Sequence, residues 1–359
     1  MMDKFVNKHI LKLNNYDPVD SDKKMSEEYN LDLANIIRLN ANENPYGPWS
    51  GLKNSLNNLA FNTYPDPNQE LVRESLSEYT GLKKDQIVAG SGADEMIEAI
   101  FKIFCNKDDS LIDVQPTFGM YSFLAESIGM NVVKFERNSD WSINIEKLKN
   151  EIISNEVRVL FLASPNNPTG NSISNYELEN LLNLGILVIV DETYFEFSKI
   201  STIELMKDYA NLIILRSFSK WAGIAGLRFG YMLASNDVIK NVFKVKQPYN
   251  INVAAEKAAI LTLENRAELN QNIEKIINEK NEFSKFLQSL DGVKGFPSDG
   301  NFILCKFTKN SSDIVYNKLA IEGIFVRSFS NNSLKDCLRI TIGTPEQMEK
   351  VRKVLITLK

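Results

Sequence analysis

The chain has 359 residues, of which 43% are hydrophobic and 24% charged, which is typical of a globular protein with about two domains. Its formal charge of −5, without a long basic run, argues against nucleic acid and anionic membrane surfaces as partners. One histidine, His9, and three widely separated cysteines argue against a metal site, a Ser-His-Asp triad and a disulfide framework.

The first ten residues carry charges where a secretory signal would have its apolar stretch. The longest apolar runs, such as residues 186–190, are far shorter than the ~20 residues that span a bilayer. Cysteines that are few and far apart are typical of a reducing compartment. We therefore expect a cytoplasmic enzyme.

From about residue 87, short apolar runs alternate with helical patterns, which indicates an α/β domain with a mainly parallel sheet. Residues 93–104 have apolar side chains at helical spacing, and Ser174 with Glu177 forms a capping-box pattern that begins another helix. Unbroken apolar runs rich in β-branched residues predict strands that are buried on both faces. These runs are residues 157–163, 186–190 and 211–215.

Beyond Pro248 the pattern changes to that of a smaller α+β domain. A stripe of apolar residues between 269 and 290 predicts a long amphipathic helix. Strand-like stretches follow at 301–307, 324–329 and 337–342, and a last helix follows Pro345. The expected division is an N-terminal arm of residues 1–20, a small domain of residues 21–45 and 249–359, and a large domain of residues 46–248.

Each of the three predicted buried strands is followed by polar residues that packing of a hydrophobic core does not explain. They are SPNNPTG at 164–170, DETY at 191–194 and RSFSK at 216–220. Ligands bind at the carboxyl ends of the strands in open α/β sheets. We therefore expect the three clusters to meet in one crevice.

The residue types in these clusters fit a pyridoxal phosphate site. That cofactor needs an amine for its Schiff base, an acid beside its ring nitrogen, hydrogen bonds to its phenolic oxygen and a phosphate cradle. Lys220 would supply the amine and Asp191 the acid, while Asn167 and Tyr194 could reach the phenolic oxygen. The candidates for the phosphate are Ser217, Ser219, Arg228 and the backbone N–H groups of Ala93 and Asp94 in the glycine turn at 90–95.

The run SFSKWAGIAGLRFGY at 217–231, together with SPNNPTG and DETY upstream, resembles the fold-type-I aminotransferases of class I and II. Within them it is most similar to the histidinol-phosphate aminotransferase family. The resemblance implies a large α/β domain, with a mainly parallel sheet flanked by helices, plus a smaller α+β domain. Further matching motifs are LNANENPYGP (39–48), YPDP (64–67), GADE (92–95), PTFGMY (116–121) and CLRITIGT (337–344).

The resemblance also implies roles for individual residues. Lys220 would carry pyridoxal phosphate as a Schiff base and would move the proton during transamination. Asp191 would pair with the ring nitrogen, and Tyr194 would be the third catalytic residue. Phe118 would stack on the ring. Tyr64 would reach the phosphate of the neighbouring subunit's cofactor, which implies a homodimer with shared sites.

Substrate recognition would fall to two arginines. Arg339, expected at a strand end, would bind a carboxylate or phosphate bidentately, and Arg327, expected on the preceding strand, would assist with phosphate. Asn42, Tyr46 and Asn167 complete the expected substrate-binding set.

The implied reaction is transamination between histidinol phosphate or imidazole-acetol phosphate and the glutamate/2-oxoglutarate pair, in histidine biosynthesis. Its partners would be small molecules, namely an amino phosphate and a dicarboxylate. Three alternatives stay open on the sequence. They are a threonine-phosphate decarboxylase, an aromatic-amino-acid aminotransferase of the same fold, and a catalytically silent relative that only binds the ligand.

Overall fold

The computed structural model describes residues 2–358 of the chain. The strands are β1 (Ile37–Leu39), β2 (Ile87–Ser91), β3 (Ser110–Gln115), β4 (Asn131–Glu136), β5 (Val157–Ala163), β6 (Leu187–Asp191), β7 (Leu212–Ser217), β8 (Phe229–Leu233), β9 (Val293–Gly295), β10 (Phe302–Phe307), β11 (Ile324–Val326) and β12 (Cys337–Thr341). The helices are α1 (Asp22–Tyr29), α2 (Leu52–Ser55), α3 (Glu70–Thr80), α4 (Gly92–Phe104), α5 (Met120–Ser127), α6 (Ile145–Ser154), α7 (Asn175–Leu182), α8 (Phe195–Ser198), α9 (Asn236–Val245), α10 (Val253–Glu264), α11 (Arg266–Gln288), α12 (Ser312–Ile321) and α13 (Pro345–Ile356).

Seven strands form the central sheet, in the order β2-β8-β7-β6-β5-β3-β4. Strand β8 runs antiparallel to both of its neighbours, and the other pairings in the sheet are parallel. The predicted fold class, α/β with a mainly parallel sheet flanked by helices, is confirmed. In the register of the sheet Asp191 pairs with Ala163 on one side and with Leu215 on the other, so β5, β6 and β7 end close together.

The central strands are buried on both faces, as their unbroken apolar runs predict. Along β6, Val188 and Val190 belong to the core on one face of the sheet, and Ile189 belongs to the core on the other. All three side chains are fully buried. Helices therefore cover both faces, and only the strand ends are left to form a crevice.

The predicted helices form where their sequence signals lie. Ser174 and Glu177 make the reciprocal capping box that begins α7. Helix α4 follows β2 directly and covers the predicted 93–104 stretch. The long helix α11 buries the predicted stripe through Leu269, Ile273, Ile276, Phe283 and Leu287, but it ends at Gln288, so the last residue of the stripe, Leu290, lies beyond it.

A second, antiparallel sheet has the order β12-β10-β9, and β1 pairs in parallel with β11. The prediction of one strand over residues 324–329 is wrong in its second half. Strand β11 ends at Val326 because its partner β1 ends at Leu39, the residue opposite. The next residue, Arg327, instead forms a single antiparallel bridge with Arg339. Arg327 thus lies just beyond a strand, and Arg339 lies in the middle of β12 rather than at its end.

The N-terminal segment packs against the C-terminal third of the chain, because Met25 on α1 shares a small core with Ala320 and Phe325. Helix α10, by contrast, packs on α3 and contacts β8 of the central sheet. The division into an arm, a small domain and a large domain stays a prediction. Between residues 2 and 358, no helix combines the length and the apolar character needed to cross a membrane.

Candidate active site

The carboxyl ends of β5, β6 and β7 open onto a cavity of about 730 Å³. The three polar clusters that follow these strands meet there, as their positions in the sequence predict. Residues of the N-terminal arm and of β12 complete the wall. The predicted site residues that line the cavity are Asn42, Ala93, Asp94, Phe118, Asn167, Asp191, Tyr194, Ser217, Ser219, Lys220, Arg228, Arg327 and Arg339.

Two predicted site residues lie elsewhere in this single chain. The ring of Tyr46 packs under Lys275, whose Nζ is 5.1 Å from the ring centroid. Tyr64 is 80% exposed and stacks on Tyr249, with 4.4 Å between the ring centroids. For Tyr64 the prediction concerns the neighbouring subunit's site, so an exposed position within one chain is what that prediction requires.

The amine of Lys220 is held at the cavity wall. Its Nζ donates a hydrogen bond to the backbone carbonyl of Ala41 at 2.7 Å. Burial, together with the positive charge of Arg339, lowers the pKa of Lys220 to about 8. At pH 8 about half of such amines are neutral, against well under ~1% for an ordinary lysine. The neutral amine is the form that attacks a carbonyl group.

Asp191 is a buried acid at the end of β6. The hydroxyl of Tyr121 donates to its Oδ2 at 2.7 Å, and the backbone N–H of Thr193 donates to its Oδ1 at 3.0 Å. Burial raises the pKa of Asp191. Within residues 2–358, no lysine or arginine pairs with this carboxylate. A cationic N–H held in the cavity would provide the positively charged partner that Asp191 lacks.

The start of α4 is shaped to hold an anion. Gly92 begins the helix with a φ of +79°, and a Cβ on Gly230 would come within 2.4 Å of the Ala93 backbone nitrogen. Glycine at both positions therefore allows β8 to pass close to the first turn. The first N–H groups of a helix have no partners within the helix and attract negative charge. Beside them, Arg228 pairs with Asp94 at 2.8 Å.

Arg339 is a buried guanidinium without an acidic partner among the described residues. It is 6% exposed, and it donates to Asn167 Oδ1 and to the Asn40 carbonyl, both at 2.5 Å. Its Nε is buried and has no hydrogen-bond partner in the described chain. Burial lowers the pKa of Arg339 to about 10. A desolvated arginine with an unused donor is suited to bind an anion from the cavity.

The N-terminal arm forms one wall of the cavity through Tyr16 and Asp17. Arg327 donates to the Asp17 carbonyl at 3.1 Å and to its carboxylate at 3.3 Å. The ring of Tyr16 packs edge-on against Phe123, with 5.8 Å between centroids. An anion that approaches Arg327 must therefore share it with Asp17 or displace that residue.

Three consecutive residues, 40–42, each contact a different site residue. The Asn40 carbonyl accepts from Arg339, and the Ala41 carbonyl accepts from Lys220. The side-chain amide of Asn42 donates to the Tyr194 hydroxyl at 2.8 Å. This short segment, the 40–42 strap, thus holds the amine, the buried guanidinium and the phenol together.

The donor set fits pyridoxal phosphate. The cavity offers an amine with a lowered pKa, a buried carboxylate that lacks a cation, and a helix start that is open to an anion. The phenylalanine ring of Phe118 and the phenol of Tyr194 line the same space. Ser219 and Ser217 lie beside the lysine and hydrogen bond each other at 3.0 Å. Each chemical requirement of the cofactor therefore has a matching group.

Sequence reasoning missed four residues of this site: Tyr121, Thr341, Tyr16 and Asp17. Tyr121 lies in the first turn of α5, three residues after Phe118, which precedes that helix. The two rings pack edge-on, with 5.5 Å between their centroids. Thr341 is two residues after Arg339 and so shares its face of β12. The sequence therefore indicates both residues, Tyr121 by its place in the PTFGMY motif and Thr341 by its spacing from Arg339. The sequence offers no such signal for the arm residues.

Comparisons with known proteins agree with this geometry. The family model for aminotransferase class I and II matches residues 34–355. The histidinol-phosphate aminotransferase of Roseiflexus castenholzii is 38% identical over 355 residues, which cover 96% of each chain. The crystal structure of histidinol-phosphate aminotransferase from Sinorhizobium meliloti in complex with pyridoxal-5'-phosphate matches with a TM-score of 0.87 at 21% identity, covering 99% of this chain and 98% of that one. For the enzyme of the same name from Clostridium acetobutylicum the TM-score is 0.83 at 27% identity, covering 89% and 98%.

Proposed function

The chain belongs to the class I and II aminotransferase family, and from this premise we propose the reaction that it catalyses. An amino group passes between histidinol phosphate and 2-oxoglutarate, which yields imidazole-acetol phosphate and glutamate, in histidine biosynthesis. Support comes from the names of relatives that match over nearly the whole chain.

The observation that carries the proposal is the buried guanidinium of Arg339. One substrate presents a phosphate to the enzyme and the other a carboxylate, and both must be bound in turn at the same place. A planar guanidinium fork binds either group bidentately. Arg339 lies in the wall of the same cavity as Lys220, without a competing acid in the described chain.

Pyridoxal phosphate, when bound, supplies an electron sink for the charge that develops at the substrate's α-carbon. Lys220 would hold it covalently and, once released as a free amine, would move the proton at that carbon. Asp191 would bind the ring N–H and keep it charged. The remaining contacts would come from Asn167 and Tyr194 to the phenolic oxygen, from Phe118 to the ring, and from Ala93, Asp94, Ser217, Ser219 and Arg228 to the phosphate.

A side-by-side assay on purified, cofactor-loaded protein tests the reaction. Histidinol phosphate with 2-oxoglutarate should yield glutamate, while phenylalanine with 2-oxoglutarate should yield much less. Threonine phosphate alone should release no carbon dioxide. Rapid decarboxylation of threonine phosphate without transamination would overturn the substrate assignment. A cofactor absorption band that does not shift with glutamate would indicate a silent binding protein instead.

Replacing the two arginines should separate their roles. Arg339→Leu is expected to impair both half-reactions, each by the ~2–4 kcal/mol of a charge-assisted fork. Arg327→Leu should raise the KM for histidinol phosphate much more than that for glutamate, because only phosphate carries a second charge that needs a second cation. The measurement is the rate of each half-reaction under single-turnover conditions, at several substrate concentrations.

Arg327→Lys is the matched control, since it keeps the positive charge and loses the fork. It should retain most of the preference for the phosphate substrate. Equal effects of Arg327→Leu on the KM values of the two substrates would contradict the proposal that Arg327 acts mainly on the phosphate substrate.

We also propose that the enzyme is a homodimer in which Tyr64 of one subunit reaches the cofactor phosphate of the other. Tyr64 stacks on Tyr249, which is also exposed, and two further exposed apolar residues, Phe61 and Leu71, lie within seven residues of Tyr64 in the sequence. Leu71 and Thr63 line a groove of about 620 Å³. Exposed apolar side chains that cluster in this way are typical of protein interfaces.

Mixing two inactive proteins tests the shared site. Tyr64→Phe leaves each lysine in place but removes the phosphate contact, whereas Lys220→Ala removes the lysine and keeps the tyrosine. A hybrid dimer has one site with both groups intact, so we expect mixing to restore activity at limiting cofactor. The control is Tyr64→Phe mixed with itself. Monomers at the assay concentration, shown by sedimentation, would refute the sharing.

The cytoplasm as working compartment is part of the proposal. Its support is that Cys105, Cys305 and Cys337 are free thiols within the described chain, as a reducing compartment would keep them. Burial raises the pKa of Cys305 above its usual range, so this thiol is unreactive at neutral pH. Fractionation of the source cells, followed by the assay above, tests the location.

A further inference from the structure

We propose that Asn42 and Thr341 are positioning residues that set the direction of the Tyr194 hydroxyl proton, so that it points into the cavity. The inference rests on the proposed function, because the acceptor of that proton would be the phenolic oxygen of pyridoxal phosphate. Asn42 and Thr341 would act only through Tyr194. Their hydrogen bonds form a connected series, and in each bond of the series the donor is fixed.

The series of hydrogen bonds starts at a backbone N–H, which can only donate. The N–H of Asn42 donates to Oγ1 of Thr341 at 3.1 Å. The threonine hydroxyl has a proton of its own, and Oδ1 of Asn42 at 2.9 Å accepts it. The oxygen of the asparagine amide is thereby committed to Thr341. Its nitrogen must face the other way.

The nitrogen of that amide faces the tyrosine. Asn42 Nδ2 donates to the Tyr194 hydroxyl oxygen at 2.8 Å. Because the hydroxyl accepts here, its own proton must leave in another direction. Within residues 2–358, Asn42 is the only hydrogen-bond partner of the Tyr194 hydroxyl, and Tyr194 lines the cavity. The proton is thus available to an anionic oxygen of a ligand.

The opposite orientation of the amide is disfavoured. It would turn Nδ2 towards Thr341 and leave the threonine proton without an acceptor, and it would bind the Tyr194 proton to the amide oxygen. Thr341 is 1% exposed and does not line the cavity, so water cannot replace its lost acceptor. A buried donor without an acceptor is costly, and the observed direction avoids that cost.

The backbones of Asn42 and Thr341 are both held in place by other contacts. Asn42 has a φ of +54°, in the left-handed region that asparagine tolerates better than most residues. Its carbonyl accepts from the buried side chain of Asn301 at 3.1 Å. Thr341 lies in β12, opposite Phe302 of β10. The two side chains therefore start from fixed backbone positions.

A donated hydrogen bond stabilises a phenolate and so lowers the pKa of the chromophore to which that oxygen belongs. Asn42→Asp should reverse the direction of the hydrogen bond between residue 42 and the Tyr194 hydroxyl. A carboxylate only accepts, so it would take the protons of both Thr341 and Tyr194. We expect the pKa of the bound chromophore, read from the pH dependence of its absorption, to rise by about 1 or more relative to the parent holoenzyme.

Asn42→Asp also adds a negative charge. The effect of that charge must be distinguished from the effect of reversing the hydrogen bond between residue 42 and Tyr194. In a Tyr194→Phe background there is no phenol proton to capture, so Asn42→Asp should produce only the effect of its charge. We expect that rise to be clearly smaller than the rise in the Tyr194 protein. Equal rises in the two backgrounds would mean that Asn42 acts by charge alone, which would overturn the proposal.

Thr341 supplies a second, uncharged test. Thr341→Val keeps the shape but removes the hydroxyl that orients the amide, and it should raise the chromophore pKa. Thr341→Ser keeps the hydroxyl and should titrate like the parent. If the parent titrates normally and neither Asn42→Asp nor Thr341→Val differs from it, the inference alone fails. A parent without any cofactor absorption overturns the proposed function and this inference together.

Discussion

Lys220→Ala should lose turnover by about a thousandfold or more while the protein still binds pyridoxal phosphate without a covalent bond. The amine is both the covalent anchor and the proton carrier of the proposed mechanism, and a positioned acid or base alone contributes about 10²–10⁴-fold. The groups proposed to hold the phosphate are untouched by the substitution. Equilibrium dialysis measures the retained binding, and single-turnover kinetics measure the lost step.

A second lysine provides an internal control. Lys280 is also buried and also has its pKa lowered to about 8 by burial, but it lies on α11 and donates to the Gly300 carbonyl at 2.8 Å, away from the cavity. Borohydride reduction of the parent holoenzyme should attach the cofactor to Lys220 and leave Lys280 unlabelled. Labelling of Lys280, or turnover by Lys220→Ala within tenfold of the parent, would refute the assignment.

Asp191→Asn should slow proton abstraction from the amino donor by several powers of ten. The substitution keeps the shape of the side chain but removes its charge, so a ring nitrogen beside it would lose its proton. The electron sink would then be weaker by ~3–6 kcal/mol. Rapid mixing of the loaded enzyme with glutamate measures this step directly.

The matched control for Asp191 is Tyr121→Phe. It removes the hydrogen bond of 2.7 Å to the carboxylate and leaves the charge in place. We expect a loss of about ten- to a hundredfold, smaller than that of Asp191→Asn, because one hydrogen bond to a charged group contributes ~1.5–3 kcal/mol. If Asp191→Asn and Tyr121→Phe were equally slow, the hydrogen-bonded arrangement rather than the charge of Asp191 would govern the step.

The main chemistry of the site could be predicted because it follows buried parallel strands. Runs such as residues 157–163 and 211–215 have no polar side chain for a solvated face, apart from Arg158 and Asn211 near their starts. Such runs fix where strands end, and the topology of the sheet then brings those ends together. The meeting of Asn167, Asp191 and Lys220 therefore needed no information beyond local pattern.

The contacts that could not be predicted join distant parts of the chain. Asn42 and Thr341 are 299 residues apart, and their pairing depends on how β12 lies beside the 40–42 strap. The length of β11 was overestimated because its end is set by its partner β1 and not by its own sequence. The contact of Arg327 with Asp17 likewise depends on the path of the N-terminal arm, for which neither residue carries a local signal.

The 40–42 strap has a consequence for efforts to redesign the specificity of this enzyme. Its three successive residues bond to Arg339, Lys220 and Tyr194, so recognition of the substrate anion and placement of the reactive amine share one stretch of backbone. Replacing Arg339 to admit an uncharged substrate would free the first carbonyl of that stretch and loosen the neighbouring one. Retargeting should therefore vary the strap and Arg339 as one unit, with amine reactivity as the selection criterion alongside binding.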